Sequence, residues 1–77
     1  MIVHFVIYSG ENSEGVYTST RLMAVRADAI VAIQDAKETS GVPSEDSVLW
    51  VHLCTGISIP LAGTYRAALD LWREGLE

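Results

Sequence analysis

Cysteine is almost absent from this chain: Cys54 is the only one in 77 residues. No intramolecular disulfide can form. Small secreted domains usually depend on several, so a reducing, cytoplasmic setting is expected. Positive charge is also sparse. The basic residues are Arg21, Arg26, Lys37, Arg66 and Arg73, never in a run, against 10 Asp and Glu, and the formal net charge is −5. A nucleic-acid binder needs a concentrated positive stripe to release counterions from phosphates, so direct contact with DNA or RNA is not expected. An acidic body is likewise repelled by anionic membrane surfaces. No long apolar run occurs. The stretch 1–8 has no basic flank and is too short to span a bilayer, so it reads as a strand rather than a leader or anchor. CxxC, HExxH, G-x-S-x-G and glycine-rich phosphate-loop patterns are missing too, so no motif points to catalysis or to a cofactor.

Hydrophobic residues make up 49% of the chain and charged residues only 19%, which excludes intrinsic disorder. A folded chain of this mass exposes roughly 4,600 Å², against about 12,000 Å² when extended. Burial of about three-fifths of the surface suits one small domain over residues 1–77 and leaves no room for a second core.

Residues 2–8 are β-branched and aromatic and predict a strand. A polar stretch bracketed by Gly10 and Gly15 predicts a long hairpin tip, and residues 16–25 its partner strand. Residues 27–40 support two readings. Asp28 as N-cap, Ala29, Ile30, Ile33 and Ala36 at helical spacing, and Gly41 as terminator predict a helix. The β-branched Ile30, Val31 and Ile33 would instead make 29–34 a buried strand; the helix is preferred because residues 35–38 have helix propensity. Residues 48–54 predict a strand, Thr55-Gly56 a tight turn, and residues 57–61 an edge strand, since Pro60 lacks an N–H for a ladder. Thr64 caps a predicted helix over 65–74 with an apolar stripe of Tyr65, Ala68, Leu69 and Trp72. The halves 1–41 and 42–77 then echo one another as strand, turn, strand, N-cap, helix. The expected fold is α+β: a two-layer ββαββα, with a four-stranded, mainly antiparallel sheet and two helices on one face.

Strand alternation divides the side chains. Val3, Phe5, Ile7, Leu49, Val51 and Leu53 are purely apolar and should face the helices. His4, Val6, Tyr8, Trp50, His52 and Cys54 should face away, with Leu22 beside them. Burying a Tyr and a Trp removes roughly 150–250 Å² each from water, several kcal/mol in all. The outward face is therefore expected to be covered by a second copy or another protein. Glu11 and Glu14 in the first loop, and Glu45 and Asp46 in the third, would form an acidic patch if those loops meet. His4, His52 and Cys54 have the ligand chemistry of an open metal site, but no ligating spacing supports it.

Residues 51–61 and the helix after them are similar to the hairpin-plus-helix that ends the short flagellar regulators. The likeness covers about a third of the chain, consists of hydrophobic alternation and carries no site residue across. The expected function is a small acidic, non-enzymatic protein-binding module without a cofactor. It would be homodimeric and would act as an accessory, regulatory or inhibitor protein by stoichiometric contact through Val6, Tyr8, Trp50, His52, Cys54, Glu11 and Glu14. An inhibitor of the phage or mobile-element type is one expected form of such a module. The alternatives are a small-ligand or metal-binding protein using His4, His52 and Cys54, and a regulator that reaches nucleic acid through a partner protein.

Overall fold

The structure is a computed structural model that describes residues 1–77. The chain runs β1 (Ile2–Glu11), β2 (Tyr17–Arg26), a 3-10 helix (Ala27–Ala29), β3 (Ile30–Gln34), β4 (Leu49–Leu53), β5 (Ser58–Leu61) and α1 (Tyr65–Leu76). All five strands belong to one antiparallel sheet in the order β2-β1-β5-β4-β3. The α+β class is as expected, but there are five strands and one α-helix, not four and two.

The correction falls on residues 27–40. Ile30 and Ile33 are both buried while Val31 and Ala32 between them are exposed, which is the three-residue spacing of a helix face. A register shift between Ile30 and Ala32 produces it: the irregularity against β4 lets both isoleucines of a strand point inward. Asp28 caps nothing and instead pairs with Arg26 at 2.9 Å. Residues 35–47 form a loop in which the amides of Lys37 and Glu38 donate to the carbonyl of Asp46. The echo between the halves therefore ends where the helix of the first half would begin.

β2 and β3 are the two outer strands, yet only Ala27–Ala29 lie between them. Four Cα steps from Arg26 to Ile30 reach at most about 14 Å, whereas outer strands of a flat five-stranded sheet stand about 19 Å apart. The sheet must curl. Its inner side holds a single core to which both outer strands contribute: Val25 and Ile33 join Val3, Phe5, Leu49, Val51 and Leu61. α1 closes the core with Ala68 buried and Leu69 and Trp72 packed against it. Thr64 starts this helix as expected, its side-chain oxygen accepting from the Ala67 N–H at 3.2 Å. Near the other end, a Cβ on Gly75 would collide with Val3 and stand 2.8 Å from Ala27, so the absent side chain is what lets α1 approach.

β5 is the central strand, not an edge. Trp50↔Pro60 lies between pairs whose backbones bond, so the Pro60 nitrogen points toward β1. There the ladder is reduced to the pair Ile7↔Leu61, beside which the Ala62 N–H donates to the Val6 carbonyl at 2.9 Å. Proline is tolerated because this seam is short. The turn after β4 also differs from a two-residue hairpin. Cys54, Thr55 and Gly56 form a three-residue connection in which Gly56 takes φ 88°, the left-handed conformation that suits glycine.

Candidate functional site

The alternation read from β1 and β4 is the observed one. Val3, Phe5, Leu49 and Val51 are buried in the core, while His4 and Val6 are exposed and Tyr8, Trp50 and His52 are half-buried on the opposite side. No element of the chain covers that side. Cross-strand register arranges it into rows, because directly opposed residues share a face. One row runs Thr20, Tyr8, Pro60, Trp50, Gln34 across all five strands. Beside it stand Leu22 and Val6, 76% and 44% exposed. Trp50 is held in orientation by its indole N–H, which donates to the Glu45 carbonyl at 2.9 Å.

Tyr17 joins this row although simple alternation does not place it there. Register shifts at Gly10 put its ring against Tyr8, with centroids 5.2 Å apart and planes 21° from parallel. A glycine inside a strand pattern is the signal for such a bulge. Tyr17 also shows that the two acidic loops meet. Its amide donates to the Pro43 carbonyl, and Val16 bridges Ser44. Burial raises the pKa of its phenol, and the carboxylates of Glu11 and Glu45 raise it further. Glu14 lies exposed at the loop tip, its amide held by the Asn12 side chain. Glu11 from one loop and Glu45 from the other thus lie beside Tyr17, the Glu45 backbone also meets Trp50, and Asp46 pairs with Lys37.

His52 has a structural use. Its Nδ1 lies 2.8 Å from Ser58 Oγ and its Nε2 2.9 Å from Gln34 Oε1. The two contacts tie β3, β4 and β5 together through one ring. Cys54 has left the strand for the turn, where its thiol is exposed. His4 is remote from both. It precedes Ile7 by three residues, His52 follows Leu49 by three, and Ile7 and Leu49 flank Leu61. Six residues along the strand direction are roughly 20 Å. The three candidate ligands are not brought together, and no other group of His, Cys, Asp and Glu has metal-binding geometry.

Next to Trp50 and His52 lies an open polar cleft of about 270 Å³, lined also by Gln34, Lys37, Glu45 and Asp46. It falls below the usual range of roughly 300–1,000 Å³ for small-molecule sites, and Lys37 and Asp46 face each other there at 3.7 Å. No helix is long and apolar enough to cross a membrane. The fold and surface define a small α+β protein with one uncovered, aromatic sheet face. No family model, curated protein or solved structure matches the chain.

Proposed function

We propose that this chain is a non-enzymatic protein-binding module that acts by stoichiometric contact through its uncovered sheet face. The observation that carries the reading is the half-exposed row of Tyr8, Pro60 and Trp50 beside exposed Val6 and Leu22, which no helix or strand of the chain covers and which only the 35–47 loop borders. Aromatic rings and prominent aliphatics on one open surface are the composition of interface cores. The test is a photo-crosslinking side chain placed at Leu22 or Tyr8, with Asp70 on α1 as the comparison. Crosslinks from the sheet positions and none from the helix are expected. Absence of crosslinks from the sheet face overturns the proposal.

Self-association is the second part, and the edge of β2 favours it. The Ala27 N–H bonds to the Met1 carbonyl at 2.9 Å. By antiparallel alternation Thr20, Leu22 and Ala24 then turn their N–H and C=O groups outward. This ten-residue edge carries neither proline nor lysine, the usual protections against pairing. Two copies paired antiparallel about Leu22 set Thr20 against Ala24 and keep Arg21 opposite Met23. Leu22→Pro removes only an outward N–H and is expected to give a monomer in light scattering with the fold retained. Met23→Pro, which breaks the β1 ladder, should unfold the chain. A parent protein that is strictly monomeric at high micromolar concentration overturns the self-association.

A further inference from the structure

The aromatic row has a chemistry more specific than a generic interface. The Tyr17 and Tyr8 rings stack, Pro60 sits across the seam from Tyr8, and Trp50 stands opposite Pro60. All four are part-exposed. Tyr8 and Trp50 are two strands apart, about 9.6 Å at the usual strand spacing. A polyproline II helix repeats every three residues, about 9.3 Å. The row lies in the interior of the sheet, where the backbones of β1 and β5 already have neighbours on both sides. A partner cannot be bound there by adding a strand, and must be held through its side chains. Glu11 and Glu45 flank Tyr17, and the Glu45 backbone also meets Trp50, so this loop borders the row. Neither belongs to an ion pair, since the two salt bridges are Arg26–Asp28 and Lys37–Asp46.

We propose that this row is the docking surface for an extended, basic, proline-bearing segment of another protein. Prolines of the segment pack on Tyr8, Pro60 and Trp50, and its Arg or Lys lies against Glu11 and Glu45. The inference rests on the protein-binding role proposed above and names the partner's chemistry. Rigid polyproline segments dock on aromatic-lined surfaces because little conformational entropy is lost. A cation over a tyrosine face beside a carboxylate gains from both. Charge decides against a second copy on this row. A second copy would bring the same row, and Thr20, Tyr8, Pro60, Trp50 and Gln34 include no Lys or Arg to set against Glu11 and Glu45. Self-pairing at the β2 edge leaves the row free.

The test uses the full chain and three synthetic dodecapeptides, followed by Trp fluorescence and amide chemical shifts. The first has proline at every third position and two terminal arginines. The second replaces the arginines with glutamates, and the third replaces the prolines with alanines. The first is expected to bind at least tenfold more tightly than either other, with shifts centred on Tyr8, Tyr17 and Trp50. Tyr8→Ala should weaken it at least tenfold. Glu45→Lys on the exposed loop leaves the carbonyl that holds Trp50 intact and should move the preference from the arginine to the glutamate peptide. Equal binding of the first two peptides, shifts confined to α1 or the β2 edge, or no binding at all overturns this proposal. If crosslinking from Leu22 or Tyr8 persists in that case, only the ligand chemistry has failed. If crosslinking fails too, the protein-binding reading falls with it.

Discussion

The indole N–H of Trp72 donates to the backbone carbonyl of Ala27 at 3.0 Å, which fastens α1 to the 3-10 helix between the outer strands. The same carbonyl accepts from the Ile30 N–H. Trp72→Phe therefore loses a hydrogen bond without orphaning the acceptor, and about 1–2 kcal/mol of stability should go. Trp72→Ala also empties a large packed volume and should cost about 3–5 kcal/mol. A domain of this length holds only about 4–12 kcal/mol in total. Urea unfolding curves of the two variants check both figures.

Gly75→Ala sets two effects against each other. Helix propensity alone favours alanine by about 1 kcal/mol. The new methyl would collide with Val3 and stand 2.8 Å from Ala27, both of which are buried. Overpacking of that kind costs about 1–3 kcal/mol. The sterics should win, and the variant is expected to unfold at lower denaturant than the parent.

The strand over Ile30–Gln34 and the loop after it make a third prediction. Ile33→Ala removes a core side chain and should cost about 2–5 kcal/mol. Val31→Ala, on the exposed side, should stay within about 0.5 kcal/mol. Glu38→Gly should also be near neutral, whereas inside a helix the glycine would cost about 0.5–1 kcal/mol. Chemical denaturation of the three variants distinguishes the two arrangements.

Much of this molecule was legible in its residues. The alternation of β1 and β4 placed the core and the open face, and Thr64 marked the start of α1. In residues 27–40 a bulge gives a strand the burial spacing of a helix, and the helix propensity of residues 35–38 belongs to a loop, so neither spacing nor propensity separates the two. Pro60 was assigned to an edge because a missing N–H is visible in a sequence, whereas a ladder too short to need it is not. On the candidate surface, Tyr8, Trp50, Val6 and Leu22 follow from alternation. The contact of Tyr17 with Tyr8 does not, because it depends on register shifts at Gly10. The separation of His4 from His52 depends on strand order, which periodicity does not encode.

Alkaline pH should weaken the fold through Tyr17. Burial, then Glu11 and Glu45, raise its pKa above the ordinary 10.0. The folded chain thus keeps a proton that the unfolded chain releases. The contribution is fully present below pH 10.0 and is lost as pH rises through the folded value. Tyr17→Phe should flatten the alkaline limb of a stability-versus-pH curve. Glu45→Gln should lower the midpoint of the Tyr17 phenol, followed by absorbance near the phenolate band.

The shortest ladder of the sheet lies at its middle, where β1 meets β5 through one residue pair and the Ala62 bond to Val6. The β1–β2 hairpin and the three-stranded unit beyond it can thus breathe against each other before either one melts. Deuterium should enter at the Ala62 amide sooner than at the amides β1 shares with β2. Tyr8 and Trp50 stand on opposite banks of that division, so a molecule gripping both would act as a clasp and lengthen the exchange lifetime of Ala62.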